Sequence, residues 1–257
     1  MTDKRNCPDF SNLSGLTAED KHHWGPVAPV WHWLFQAIPQ DAKVLEVGPG
    51  RYPFPRSDVF ADLDDIPEAK APIIKADINE DKLPFADKSF DFVYCRHTLE
   101  DLWNPFHACR EMARVGHRGY IETPSPMAEL CRGVDGVCEG GEFGGKHPPW
   151  RGYYHHNWIV WEHQGVLQFV PKTPLVETFE VDGIEDSLRH APSYWNTYYC
   201  WDEEIKTQHW HMPRNVNLVG YPKLLSDALA QSCASVDGFF ERLRVFYRQV
   251  EAATEAA

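Results

Sequence analysis

The run Val44-Leu45-Glu46-Val47-Gly48-Pro49-Gly50 constrains this chain more than any other stretch. The apolar β-branched segment from Lys43 to Val47 reads as a buried strand of a parallel sheet, because such strands are covered on both faces. It closes on an acidic residue and a turn with two glycines. A glycine turn after a first strand lets the backbone come close to a ligand, and open α/β sheets bind ligands at that end. Glu46 beside it suits a cationic amine or a ribose hydroxyl. Alone, the turn reads equally well as an ordinary connection, so the assignment rests on what surrounds it.

Upstream, Val30, Trp31, Trp33, Leu34 and Ile38 fall at helical intervals and Pro39 stops the run, which predicts a short amphipathic helix packed on the sheet. Downstream, Arg51-Tyr52-Pro53-Phe54-Pro55-Arg56 carries two prolines and leaves no room for a normal crossover helix. Strands are expected at 58–61, closing on Asp62, at 73–76 before Asp77-Ile78, at 89–95, and at 119–124. A helix is expected from Pro105 to Val115. Strands alternating with such crossovers predict a parallel α/β sheet. An acidic residue ending the second strand can take both ribose hydroxyls, and Asp62 is preferred over Asp64 and Asp65.

From Val44 to Pro126 the chain resembles the class I S-adenosylmethionine-dependent methyltransferases, in the branch called type 11. The resemblance lies in Glu46-Val47-Gly48-Pro49-Gly50, Asp62, Asp77-Ile78, Leu83-Pro84-Phe85, Ser89-Phe90-Asp91-Phe92-Val93 and Arg96-His97-Thr98-Leu99-Glu100. It covers about a third of the chain. It implies a Rossmann-like seven-stranded sheet with an antiparallel last strand, and S-adenosylmethionine as cofactor. By the same likeness Glu46, Gly48 and Gly50 line the methionine part, Asp62 holds the ribose, Asp77 the adenine amino group and Ile78 the ring. Cys95 and Arg96 lie near the sulfonium. The Pro-rich link departs from the family, and Arg51 or Arg56 is expected to face the carboxylate tail. A dinucleotide-binding dehydrogenase is disfavoured because the third glycine of that fingerprint is missing.

The expected organisation is an N-terminal helical cap (1–40), the cofactor-binding core (41–126), a His- and aromatic-rich insertion (127–192), and a last strand with a C-terminal helical segment (193–257). Residues 131–146 hold six glycines and read as a loop. Ile159-Val160-Trp161 and Val166 to Val170 around Gly165 predict a hairpin. Tyr194 to Trp201 is the candidate antiparallel strand. Ser226 to Ala253 reads as helix, with Phe239, Phe240, Leu243, Phe246, Tyr247 and Val250 as its buried stripe.

Methyl transfer needs a nucleophile held in line and, where it starts protonated, a base. Histidine suits that role at neutral pH. The segment His147 to Trp158 offers His155 and His156, with Tyr154 and other rings to exclude water or stack on a substrate. These three are the expected catalytic residues if the segment folds over the strand tips. His147, Glu162, His163, His209 and His211 add donor atoms suited to zinc or iron, but no fixed ligand spacing is present, and no metal is assigned. Cys131 and Cys138 make a weak zinc half-site.

Composition narrows the partners. A net charge of −13 argues against sequence-independent nucleic-acid binding, which rests on Lys and Arg. No apolar run approaches the ~20 residues of a membrane span, and seven scattered Cys without a CxxC pair suit reduced thiols and a cytoplasmic location. The reading is O- or N-methylation of a small-molecule or sugar-like acceptor. Its rivals are a metal-assisted enzyme built on the His-rich insertion and a non-catalytic S-adenosylmethionine-binding partner protein. Oligomeric state is not readable from the sequence.

Overall fold

A computed structural model describes residues 26–50, 52–65, 71–132, 134, 150–211 and 220–255. Its centre is a six-stranded sheet in the order β3-β2-β1-β4-β5-β8, formed by β1 (Val44–Val47), β2 (Val59–Asp62), β3 (Ile73–Lys75), β4 (Phe92–Arg96), β5 (Arg118–Pro124) and β8 (Asn196–Asp202). The first five are parallel and β8 pairs antiparallel to β5. Strand β1 is buried throughout, which is why it carries no polar alternation except Glu46.

The expected strands and the helix α2 (Pro105–Val115) are present, and no helix is described between β1 and β2. Proline at its first turn and the Asn104 side chain, which accepts from the His107 N–H, start α2. The expectation of seven strands is corrected: among the described residues the sheet has six. After β5 the chain enters α3 (Pro126–Leu130) and then builds a second, three-stranded sheet in the order β6-β7-β9, so that β8 lies directly on β5. The predicted hairpin is β6 (Trp158–His163) and β7 (Val166–Pro171), turning at Gln164-Gly165, and β9 (Thr207–His209) pairs parallel to β7.

Three apolar clusters hold the layers. On one sheet face α2 and the hairpin's Trp158, Val160, Leu167 and Phe169 pack over Val93, Cys95 and Ile121. On the other face α1 (Ala28–Ala37) and the C-terminal half of α5 (Gly220–Glu255) cover Val44, Phe92, Tyr94, Tyr120 and Tyr198. A third cluster joins the outer face of the hairpin to α3, α4 (Ile184–His190) and the first half of α5. The C-terminal segment is thus one continuous helix, with Val236, Phe239 and Leu243 as its buried contacts on the sheet. None of the described helices is long and apolar enough to cross a membrane.

Candidate active site

The carboxyl ends of β1, β2, β4 and β5 lie side by side, and each carries a polar residue at or within two residues of its end: Glu46, Asp62, Arg96 and Glu122. Gly48 has φ +67°, and a Cβ there would meet Thr98 Oγ1 at 2.2 Å, so the turn admits no side chain under the β4–α2 loop. Its N–H donates to Ala61 O at 3.0 Å, pinning the turn to β2. Gly50 also has positive φ, but a Cβ there would meet nothing closer than Gly48 O at 4.0 Å. The turn is filled on the Thr98 side and open at Gly50.

Glu46 is buried, and its Oε2 accepts from Phe54 N at 2.9 Å and Ser57 Oγ at 2.7 Å. Burial raises its carboxyl to about 8, against the opposing effects of those two hydrogen bonds and of Arg96. Its visible work is to hold the 52–57 loop against β1. Arg56 is turned away from the turn: its guanidinium donates to the carbonyls of Ile38 and Pro39, each at 2.5 Å, at the end of α1. The expectation that Arg56 faces a carboxylate tail is therefore corrected, and Arg51 lies outside the described residues.

Asp62 and Asp77 are half-buried at the tips of β2 and β3. Asp62 Oδ1 accepts from Asp64 N, and Asp77 Oδ1 accepts from Asn79 N and Nδ2. Each keeps a second oxygen without a partner among the described residues. Ile78 is buried beside Asp77. Cys95 and Arg96, neighbours on β4, point to opposite faces, as successive strand residues must. Cys95 sits in the apolar α2 face, where burial pushes its thiol well up. Arg96 lies on the other face and donates to Glu122 Oε1 at 2.9 Å.

That pair anchors a buried network. Glu122 also accepts from Asn196 Nδ2 at 2.8 Å and Tyr120 OH at 2.5 Å. Burial pushes the Glu122 carboxyl up, but Arg96 and then His97 hold it down at about 2. His97 closes β4 with φ +51°, its N–H donating to Glu122 O at 2.8 Å, and burial followed by the Arg96 charge lowers its imidazole to about 4.

The insertion folds onto this edge by backbone contacts. Asn157 N and Trp158 N both donate to Glu100 O, at 2.8 and 3.2 Å, Asn157 Nδ2 to Asp101 O at 2.6 Å, and Trp158 Nε1 to Leu102 O at 2.8 Å. Gly152, φ +56°, packs against Glu129 so closely that a Cβ would lie 2.6 Å from its Cα. The result brings His155 and His156 to Asp101, with His155 Nε2 at 3.6 Å and His156 Nε2 at 3.7 Å from Oδ1. His156 Nδ1 lies 2.6 Å from Glu129 Oε1, and Lys172 Nζ donates to Glu129 Oε2 at 2.6 Å. Burial pushes Glu129 up, but Lys172 and His156 outweigh it and hold the carboxyl at about 2; burial works against the His156 charge, and Glu129 raises it. His155 is half-exposed, and Tyr154 is exposed with its ring 5.4 Å from that of His155.

The remaining histidines are elsewhere. His209 stacks on Phe106 at 5.0 Å and His211 lies against it at 4.0 Å, while His163 ends β6 at the far end of the hairpin. His147 and Cys138 fall outside the described residues. Sequence reasoning passed over Asp101, Glu129 and Lys172, which meet His155 and His156 only through tertiary contact. A cavity of about 540 Å³, lined by Trp33, Asp91, Arg118 and Trp201 among others, opens at the amino ends of β4 and β5. It is therefore at the opposite end of the strands from Gly48.

Residues 59–121, which run from β2 to β5 and include Asp62, Asp77 and Arg96, match the model of the methyltransferase domain. That segment is similar to a methyltransferase core. S-adenosylmethionine is the cofactor that such a core implies. The open side of Gly50 and the unpartnered second oxygens of Asp62 and Asp77 fit that group. Solved structures similar to the chain include the YcgJ protein of Bacillus subtilis (19% identity, TM-score 0.31, 37% of this chain and 50% of that one). Others are an S-adenosylmethionine-dependent methyltransferase of Mesorhizobium loti (14%, 0.34, 67% and 95%) and one of Aquifex aeolicus (15%, 0.31, 37% and 64%). The match to YcgJ thus spans half of that protein's length. No curated protein matches the chain.

Proposed function

We propose that the protein transfers a methyl group from S-adenosylmethionine to an oxygen or nitrogen of a small-molecule or sugar-like acceptor. The observation that carries this reading is the Gly48–Gly50 turn, bonded to the tip of β2, just ahead of a segment that carries Asp62 and Asp77 at its strand tips and matches a methyltransferase domain over residues 59–121. Asp62 would hold the ribose, Asp77 the adenine amino group and Ile78 the ring. Gly48 and Gly50 would let the methionine part approach the backbone. Glu46 supports them by fixing the 52–57 loop, and Arg96 supplies positive charge beneath β4 and β5.

The methyl donor brings its own electrophile, so the chain's task is alignment, exclusion of water and removal of a proton. The His155–Asp101 pair stands over the β4 tip with its imidazole half-exposed, the position of a proton acceptor. His156, buried and bonded to Glu129, is a positioning residue, and Tyr154 stands at the rim. The net charge of −13 and the ring-rich insertion favour a small acceptor over nucleic acid. Titration calorimetry of the full chain with S-adenosylmethionine and S-adenosylhomocysteine tests the reading: one site per chain is expected for each, and no heat above dilution for either defeats it.

A further inference from the structure

We propose that Asp101, His155 and His156 together bind one divalent transition-metal ion of the zinc class. One donor atom from each of these residues lies within 4.8 Å of the other two. The two His-to-Asp101 distances, 3.6 and 3.7 Å, are close to the separation of about 3.4 Å between two ligands each held about 2.1 Å from a tetrahedral zinc. Two imidazoles and a carboxylate are a donor set that suits zinc and its neighbours and leaves a coordination position open.

Two further observations point the same way. His156 commits Nδ1 to Glu129, which is itself held by Lys172, and so aims Nε2 at Asp101. Imidazoles that ligate metals characteristically give their other ring nitrogen to a carboxylate in this manner, which fixes the tautomer and the ring. Glu100, next in the chain to Asp101, is 1% exposed, and neither of its carboxyl oxygens accepts a hydrogen bond from another residue. His97 Nδ1 lies 3.9 Å from its Oε1, beyond hydrogen-bond reach, and His156 and Asp101 are the charged groups that act on it most strongly. Buried carboxyls rarely stand without a donor, and a dication between His156 and Asp101 supplies the missing positive charge. His155 and Asp101 have side chains 39% and 41% exposed, so an ion can enter and an acceptor can reach it.

The proposal does not depend on the methyl-transfer reading. With the ion bound, His155 would serve as a ligand, and the metal would supply positive charge that favours ionisation of an acceptor oxygen. The test uses the full chain without a polyhistidine tag, stripped with chelator and titrated with Zn²⁺ by calorimetry and with Co²⁺ by visible absorption. One ion per chain is expected, weakened at least about tenfold in Asp101→Asn and in His155→Gln and unchanged in His211→Ala. Both substituted side chains are partly exposed, and circular dichroism confirms that each variant folds. Absence of stoichiometric binding overturns the proposal, as does equal binding in Asp101→Asn and His155→Gln. Loss in His211→Ala with retention in His155→Gln overturns it by moving the ion to the other histidine pair. Calorimetry with S-adenosylhomocysteine on the same samples reports the donor site separately.

Discussion

The two halves of the sheet's carboxyl edge treat charge in opposite ways. Over β1, β2 and β3 the carboxylates of Asp62 and Asp77 are half-buried, engage only nearby turn groups, and keep an oxygen to spare. Over β4, β5 and the insertion, Arg96, Glu100, Glu122, Glu129 and His156 are all buried. Most of these answer one another directly across the interface of two chain segments. Apart from the buried Glu46, which holds the 52–57 loop, the first half can lose a carboxylate, Asp62 or Asp77, with little structural consequence. The second cannot, because a buried charge stripped of its partner keeps its full desolvation cost.

The largest test of that contrast is Glu122→Gln, which leaves the Arg96 guanidinium buried without its counter-charge. A stability loss of about 3–5 kcal/mol in urea unfolding is expected; a loss below about 1 kcal/mol would erase the distinction between the halves. The same contrast has a pH signature. Glu122 and Glu129 sit at about 2 in the folded chain, below the ordinary carboxyl value, so the unfolded chain binds more protons in between. Their contribution is fully present above about pH 4.5 and is lost as pH falls towards 2. The melting temperature should therefore fall steeply as pH drops across that window, and Glu122→Gln should flatten the slope.

A smaller effect is expected at the junction of the halves. His155→Ala should lower turnover by about 100-fold, the low end of what a positioned base contributes, with cofactor affinity unchanged. Unaltered turnover would leave His155 outside the reaction. Smallest is Asp62→Ala, which should weaken S-adenosylhomocysteine by about tenfold, roughly 1.4 kcal/mol, while the melting temperature stays put. A fall in melting temperature with no change in affinity would make Asp62 part of the scaffold rather than of a binding surface.

The same division explains what the sequence conveys. The strands β1 to β5, the helix α2, the hairpin and the absence of a helix after Gly50 were readable, because apolar runs, prolines and glycines act locally. Arg56 was misread as a ligand for a carboxylate tail, since nothing in its neighbourhood signals that the end of α1 lies within its reach. The six-stranded count was hidden for the same reason: β8 finds β5 only after the hairpin has left the sheet. The His155-His156 pair stood out in the sequence, but Asp101, Glu129 and Lys172 come from three separate stretches, and no spacing rule links them. Charge networks assembled by folding leave no periodic trace.

The fastening of the insertion carries one more consequence. Asn157 and Trp158 both hang from the Glu100 carbonyl by their main-chain amides, a bond that any residue except proline can make. The exposed side chains of Tyr154 and His155 can therefore be exchanged over descent while the segment keeps its address on the β4 loop. Relatives with altered chemistry at those two positions would be expected to retain the same attachment and differ in what they accept.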